Sequence, residues 1–318
     1  MPGVGDVEEW GELFRTTGRL TLNLHPDRVD RSGRTVAAGL AADGVYRSQW
    51  VTGISAGSRS AVRGGDRERF ERELFSGVYD EVAPSSGQHP VYGALDVLLD
   101  AHGGSPRFGS SYLVLGSHVR ERTTFCLGDS HQTPRDAGTF QRPWSVLAGL
   151  AEQARQRRLL NRGLGTDVLR GMLRGSFQLG RATRELDGYI EIQVHGGVSL
   201  VDDVEAMVLD PSLRGTVVER DLDAVVDRFG VELRWHGGSE LHVDDVPSDF
   251  RGPSMPTLAR EVAGSDGVVH ARAIGVAAAR LAFTDPTPDG DDAASAMQQL
   301  KYLWHTVLAH GHDAEPMD

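Results

Sequence analysis

The chain has 318 residues and a formal net charge of −12, with 33 basic against 45 acidic side chains. This acidic balance argues against a general nucleic-acid-binding protein and against a protein that binds anionic membranes. A single cysteine, Cys126, excludes an internal disulfide and a zinc site built from several cysteines. No apolar run approaches the ~18 residues of a membrane span, and the N-terminus lacks the regions of a signal peptide. We therefore expect a cytoplasmic protein, although secretion without a signal peptide would leave the same pattern.

Short elements of both kinds fill the N-terminal half. Residues 20–24 alternate leucine with polar side chains, which is typical of a strand with one buried face. Residues 65–80 place apolar side chains four positions apart among many charges, which predicts an amphipathic helix. The other elements predicted here are helices over 6–17 and 92–100 and strands over 44–52, 112–115 and 123–127.

The C-terminal half is richer in predicted helices. Residues 143–184 indicate helices with many basic side chains: Arg155, Arg157, Arg158, Arg162, Arg170, Arg174, Arg181 and Arg184. One hypothesis is a contact surface for an anion or nucleic acid, and the other is a solvated face above a buried apolar stripe. We favour the second, because apolar residues recur at the positions such a stripe requires: Leu159, Leu160, Leu169, Met172 and Leu173. Downstream we predict a helix over 219–229, a strand over 231–235, and helices over 256–283 and 293–309.

Residues 186–209 contain the most informative strand. Polar and apolar side chains alternate along it in the order Tyr189, Ile190, Glu191, Ile192, Gln193, Val194, His195. Polar neighbours on one face of a strand lie about 7 Å apart. A phenol, a carboxylate, an amide and an imidazole on one face are suited to the floor of a polar site. The same period is typical of an edge strand with a solvated face, and the period alone does not separate the two interpretations.

The order of elements predicts the fold class. Strands and helices follow one another without a regular βαβ rhythm, and no GxGxxG or GxxxxGK[ST] motif follows a strand. These features argue against a doubly wound nucleotide-binding fold and against a P-loop enzyme. We predict an α+β protein with a mixed, mostly antiparallel central sheet and flanking helices. The α+β domain would span residues 1–254, with a helical C-terminal portion over 255–318 packed on it.

Several unusual motifs resemble those of an uncharacterised bacterial family that is known only as a domain of unknown function. They fall between about residues 20 and 210 and read LHPDR, GVYRSQW, GGDR, PVYGAL, PRFGSSY and EIQVHG. The resemblance therefore covers most of the chain. It implies membership of that family but no activity.

Three of the motifs also resemble the ADP-ribosyltransferase superfamily, in the form that combines an arginine, a Ser-x-Ser strand and a glutamate. GVYRSQW is similar to the end of that superfamily's first strand and gives Arg47. PRFGSSYLVL is similar to the serine strand and gives Ser110 and Ser111. GYIEIQV is similar to the strand that carries the glutamate pair. The fold implied is the same α+β architecture, with room between the motifs for the intervening elements.

This second resemblance implies that NAD is the substrate and that its nicotinamide–ribose bond is cleaved. ADP-ribose would pass to an acceptor that the resemblance leaves open: a protein, a nucleic acid, a small molecule or water. Glu191 would hydrogen-bond a ribose hydroxyl and stabilise the oxocarbenium-like state as nicotinamide leaves. The residues implied to bind NAD are His25, Arg28, Arg47, Ser110, Ser111 and Tyr112.

The glutamate pair departs from the superfamily pattern. The essential glutamate is the second of its pair there, whereas here Gln193 follows Glu191. If Glu191 and Gln193 align with the pair, the catalytic carboxylate is missing. If Tyr189 and Glu191 align instead, the carboxylate is in place. The candidate catalytic set is therefore Tyr189, Glu191 and Gln193.

Two other function classes stay open. A metal-dependent hydrolase would require His25, Asp27, His195 and His242 to converge, although no HExxH spacing supports it and we predict no metal. A catalytically inert module that binds a ligand or partner is favoured by Gln193. The oligomeric state is open as well.

Overall fold

The computed structural model describes residues 4–30, 32–54, 61–132, 136–178, 185–282 and 291–314. The helices are α1 (Val4–Thr16), α2 (Val36–Asp43), α3 (Gln49–Thr52), α4 (Asp66–Leu74), α5 (Trp144–Arg155), α6 (Thr166–Leu173), α7 (Leu200–Asp203), α8 (Val217–Phe229), α9 (Met255–Val262), α10 (Ala271–Ala282) and α11 (Asp291–His310). The strands are β1 (Arg19–Leu24), β2 (Val45–Tyr46), β3 (Val91–Asp96), β4 (Ser111–Leu115), β5 (Thr123–Leu127), β6 (Ala137–Thr139), β7 (Ile190–Val194), β8 (Val198–Ser199), β9 (Val204–Leu209), β10 (Glu232–Trp235), β11 (Glu240–His242) and β12 (Val268–His270).

An eight-stranded sheet organises the molecule, with the strand order β10-β9-β4-β1-β3-β7-β5-β6. Its pairings are antiparallel except for the parallel pair of β9 and β10. The predicted α+β class with a mostly antiparallel sheet is therefore confirmed. Two small sheets join β2 to β8 and β11 to β12.

The strand β7 lies inside this sheet, between β3 and β5, and all five of its residues are buried. The interpretation as an edge strand with a solvated polar face is therefore wrong. Its polar side chains face other protein groups, so each must find a hydrogen-bond partner or border a cavity.

The strand β1 explains how a polar loop is held next to the sheet. Its leucines enter the main hydrophobic core, while Asn23 on the opposite face is also buried. The Asn23 amide donates to the carbonyls of His102 (2.8 Å) and Gly109 (3.3 Å), and its oxygen accepts from the Ser105 backbone N–H (3.1 Å). One asparagine thereby fixes the loop over residues 102–109.

A second hydrophobic core lies in the C-terminal part. This C-terminal unit combines β11, β12, α9, α10 and α11, and its core also contains Leu186 from the segment before β7. Trp304 of α11 connects it to the first part by donating from its indole Nε1 to the carbonyl of Pro106 (2.9 Å). Among the described helices, none combines the length and the apolar character that crossing a bilayer requires.

Several predicted helices are shorter than the sequence pattern indicated. The helix over 256–283 is interrupted by β12, because the chain turns at Gly267 with a positive φ of 71°. The helix over 65–80 ends at Leu74, before Ser76 and Gly77 with positive φ. Residues 92–96 of the predicted helix over 92–100 belong to the strand β3. The predicted strand over 44–52 is divided between the two-residue strand β2 and the short helix α3.

The basic stretch over 143–184 forms α5 and α6, with a turn between them at Leu160 and Asn161, which have positive φ. Its predicted apolar stripe is buried. Arg155 and Arg170 are exposed as expected, whereas the side chain of Arg162 is only 6% exposed and lies 3.9 Å from Asp100. Arg181 and Arg184 lie outside the described residues.

Gly109 is required by a close approach of backbone to backbone. A Cβ atom there would lie 2.1 Å from the Leu24 nitrogen. The glycine therefore allows the backbone of β1 to approach closely, and it does not serve the approach of a ligand. We expect Gly109→Ala to lower the free energy of unfolding by about 2 kcal/mol or more, because the strand or the loop must move. Gly39→Ala is the control, since a methyl group at this position of α2 would meet the Arg34 guanidinium at the ordinary van der Waals distance of 3.8 Å. Urea unfolding of both variants measures the difference, and equal stabilities would contradict the prediction.

Candidate functional site

A cavity of about 450 Å³ opens beside the centre of the sheet. Its volume falls in the range of about 300–1,000 Å³ that is common for small-molecule sites. The wall is built from parts of the chain that are distant in the sequence. They are the strands β2, β3 and β7, the end of β1, the helices α4 and α11, the first turns of α2, and the loops at 105–108 and 129–131. Four sequence-predicted residues line it: His25, Arg28, Arg47 and Glu191.

Glu191 provides the carboxylate at this cavity. It lies in the middle of β7 and is only 6% exposed. Its oxygens accept from the Gln193 amide (3.0 Å) and from the Ser130 backbone N–H (3.4 Å). Burial, and then the nearby Asp129 carboxylate, raise the pKa of Glu191 to about 7. The side chain therefore changes its charge near neutral pH.

Gln193 holds Glu191 rather than facing the cavity. It is 1% exposed, and its amide oxygen accepts from the Thr124 hydroxyl (2.8 Å). With the oxygen fixed in this way, the NH₂ group is directed at Glu191. Of the two residues, Glu191 lines the cavity and Gln193 does not.

Tyr189 precedes β7 and is also buried, with its ring edge-on to Phe108 at 5.8 Å between centroids. Burial, and then the Glu191 charge, raise the pKa of its phenol well above the ordinary value. Its hydroxyl has no hydrogen-bond partner among the described residues. Tyr189 does not line the cavity.

His25 and Arg28 lie in the turn that follows β1. The ring of His25 is edge-on to Trp304 at 5.7 Å, and burial together with the Arg28 charge lowers the pKa of His25 to about 3. The imidazole is therefore neutral at physiological pH. In the described part of the chain, no carboxylate lies within 4 Å of the Arg28 guanidinium. Arg28 is thus a half-buried cation at the cavity wall with its hydrogen-bonding capacity available to an anion.

Arg47 follows β2, and its position depends on the small sheet. β2 pairs with β8, which comes directly after β7, so Arg47 is tied to the strand that carries Glu191. Its Nε donates to Asp43 (3.0 Å), and its side chain is 39% exposed. The ion pair occupies one edge of the guanidinium, while the residue still lines the cavity.

The cavity wall carries more positive than negative charge. Among the described residues, six basic side chains line it: Arg28, Arg34, Arg47, Arg67, Arg107 and Lys301. Three acidic side chains oppose them: Asp30, Asp129 and Glu191. The Nε of Arg67 and the Nε of Arg107 are buried without a hydrogen-bond partner in the described structure, although Arg67 is paired with Glu71 at 3.5 Å and Arg107 with Asp187. Such a surface favours an anionic ligand.

The predicted serine strand does not reach this cavity. Ser110 and Ser111 are buried, and the Ser111 hydroxyl accepts from the Asp210 backbone N–H (3.1 Å). The Tyr112 hydroxyl donates to the Ala101 carbonyl (3.3 Å) and receives a bond from Arg19 (3.4 Å). None of the three lines the cavity. The cause is the position of β4, which is separated from β3 by β1.

The residues of the hydrolase hypothesis do not converge. His195 bonds to Tyr79 (2.5 Å) and Thr124 (2.9 Å), and His242 lies on β11 in the C-terminal unit; neither lines the cavity. Asp27 faces α10, where its carboxylate occupies the space that a Cβ at Gly275 would need. Within the described ranges, no three metal-ligating side chains form a group.

The cavity residues that were not singled out from the sequence include Arg67, Asp129 and His131. Arg67 stands inside the GGDR motif, and Arg107 begins the polar cluster of the PRFGSSY motif, so the motifs marked the positions of both arginines. Asp129 and His131 lie in the short segment GDSH, where nothing but their chemistry distinguishes them.

The comparisons with known proteins agree with the first resemblance. The family model described as "Protein of unknown function (DUF3626)" matches residues 19–310. The match spans most of the chain, which therefore belongs to this family. No curated protein matches the chain.

The raised pKa of Glu191 predicts a pH-dependent stability. The unfolded carboxyl releases its proton near its ordinary pKa of 4.5, whereas the folded one retains it up to about pH 7. The free energy of unfolding therefore falls as pH rises between these values, by roughly 3 kcal/mol from this residue.

Glu191→Gln should remove this dependence, while the contribution of Asp27, whose pKa burial also raises to about 7, remains in both proteins. Urea unfolding from pH 4.5 to 8 measures the difference between wild type and variant. The matched control is Glu205→Gln, an exposed strand glutamate on β9. A constant difference between wild type and Glu191→Gln across the range would refute the prediction.

Proposed function

We propose that this member of the DUF3626 family binds NAD in the cavity and cleaves the nicotinamide–ribose bond, transferring ADP-ribose to an acceptor. One observation carries the proposal. His25, Arg28, Arg47 and Glu191 come from three separate segments of the sequence, yet they line the same cavity. Two of the motifs that supply them, GVYRSQW and GYIEIQV, suggested this chemistry before any geometry was considered.

The charge of the wall suits the pyrophosphate of NAD. Arg28 has no described carboxylate partner within salt-bridge distance, and Arg67, although paired with Glu71 at 3.5 Å, keeps a buried Nε without a hydrogen-bond partner among the described residues. Guanidinium groups bind phosphate oxygens through paired hydrogen bonds. We assign Arg28 to the pyrophosphate and Arg47 to a supporting role beside it, because the Nε of Arg47 already bonds to Asp43.

Glu191 is the residue assigned to catalysis. As nicotinamide leaves, positive charge develops on the ribose, and a fixed carboxylate stabilises that charge more than it stabilises the ground state. The Gln193 amide and the Ser130 backbone N–H hold the carboxylate in place before substrate arrives. This arrangement favours the alignment in which Glu191 is the second residue of the pair.

Ionised Glu191 is the active form in this proposal. Because the pKa of Glu191 in the free protein is about 7, the ionised fraction grows as pH rises through neutrality. The rate constant kcat/KM should therefore increase across pH 6 to 8.

Nicotinamide release from NAD tests the proposal. We expect wild-type protein to release nicotinamide and Glu191→Gln to do so at least about 100-fold more slowly, because the amide keeps the shape and removes the charge. Glu205→Gln, on the exposed face of β9, should match the wild type. Chromatographic quantification of nicotinamide provides the measurement.

The same assay separates the other function classes. Stabilisation by NAD without turnover would replace the transferase with an inert binding module. Activity on another substrate that a chelator abolishes and a divalent ion restores would support the hydrolase. Equal release by the wild type and Glu191→Gln would remove Glu191 from the mechanism.

A further inference from the structure

We propose that His131, oriented by Asp129, is the general base that accepts the proton of a hydroxyl acceptor during ADP-ribose transfer. This inference rests on the proposed cleavage of NAD and assigns it a class of acceptor. A hydroxyl nucleophile must lose a proton as it attacks, whereas a thiolate or carboxylate acceptor carries no proton to remove. A base at the cavity therefore points to an acceptor that must lose a proton, and the proposed acceptor is a hydroxyl group, with water as the simplest case.

The two side chains form a close pair at the cavity wall. The Nδ1 of His131 lies 2.5 Å from the Oδ1 of Asp129, and the backbone N–H of His131 donates to the same oxygen (3.2 Å). The second carboxylate oxygen of Asp129 lies 3.8 Å from a guanidinium nitrogen of Arg107. Although burial alone would raise the pKa of Asp129, the bonds from His131 bring it below its ordinary value. Asp129 is therefore an ionised partner for the imidazole.

The hydrogen bond fixes the tautomer of His131. A neutral imidazole that donates from Nδ1 to a carboxylate carries its lone pair on Nε2. No described residue is hydrogen-bonded to that nitrogen. The side chain is 28% exposed and lines the cavity, so Nε2 can receive a proton from a molecule bound there.

The pair is adjacent to Glu191 because of Ser130. This residue lies between Asp129 and His131 in the sequence, and its backbone N–H donates to the Oε2 of Glu191 (3.4 Å). One short loop thus holds the carboxylate and presents the imidazole. The two groups can serve the two halves of one displacement: Glu191 the ribose and His131 the incoming hydroxyl.

The other histidine at the cavity is less suited to this role. Burial and the Arg28 charge lower the pKa of His25 to about 3, which makes it a weak base at neutral pH. Its ring packs on Trp304 rather than on a carboxylate.

The reaction balances with these groups alone. The hydroxyl oxygen forms a bond to C1′ of the nicotinamide ribose while the bond from C1′ to the nicotinamide nitrogen breaks. The electron pair of that bond neutralises the pyridinium ring, and nicotinamide leaves as a neutral base. The hydroxyl proton passes to Nε2 of His131, and the resulting imidazolium is paired with Asp129 before it releases the proton to solvent.

The test compares His131→Ala with His118→Ala in nicotinamide release. His118 also pairs with an aspartate, Asp203 at 3.2 Å, but it is exposed and lies outside the cavity. We expect His131→Ala to lower kcat about 100-fold or more with little change in KM for NAD, and added imidazole to restore part of the rate. His118→Ala should behave as wild type. Asp129→Asn should lower kcat with KM unchanged, and Asp129→Glu should recover part of that loss.

Two acceptors distinguish the source of the hydroxyl. Nicotinamide release in plain buffer measures transfer to water. Formation of the methyl glycoside of ADP-ribose in added methanol measures transfer to the hydroxyl group of an organic compound. If either reaction depends on His131, the inference is supported. A rate for His131→Ala within threefold of wild type would overturn it while leaving the cleavage of NAD intact. Absence of release from wild type with both acceptors would overturn the proposed function, and this inference with it.

Discussion

A buried carboxylate in the middle of the sheet is the feature on which the rest of the site depends. Placing Glu191 on an interior strand costs about 3 kcal/mol when it is ionised at pH values above 7, by the rise in its pKa. Its surroundings limit that cost through two donors, the Gln193 amide and the Ser130 backbone N–H. A carboxylate needed only for stability would be cheaper to replace by an apolar residue. We therefore infer that the unfavourable burial of Glu191 is retained because the carboxylate has a function.

The fold around this carboxylate builds a cavity by immobilising polar segments against the sheet. Asn23 fixes the loop that carries Arg107, and Trp304 of α11 anchors the C-terminal unit on that same loop. On another side, Glu71 of α4 accepts from Trp50, His89 and Tyr92, and so holds the helix that presents Arg67. In these networks the polar groups of Asn23, Trp304 and Glu71 bond to other protein groups, whereas the guanidinium of Arg28 can still bond to a ligand.

The sequence predicted the class of fold and the alternating pattern of the central strand, because both depend on local periodicity. It also named His25, Arg28, Arg47 and Glu191, which line one cavity and whose motifs stand at the ends of short strands or within one. It did not show that Ser110 and Ser111 lie away from this cavity, since the order of strands in a sheet is not a local property. The sequence also could not show that Gly109 packs against the backbone of β1 rather than against a ligand. His131 was not predicted from the sequence, because the position near Glu191 of the pair that it forms with Asp129 depends on contacts between segments that are far apart in the chain.

A crystal structure of the Glu191→Gln protein with NAD tests the central claim most directly, because the variant should bind NAD without cleaving it. The account predicts NAD in the cavity, with a nicotinamide-ribose hydroxyl at about 3 Å from the side chain at position 191 and the pyrophosphate on Arg28. It also predicts C1′ on the side of the cavity that His131 faces. NAD bound elsewhere, or bound here with its ribose away from position 191, would contradict the account.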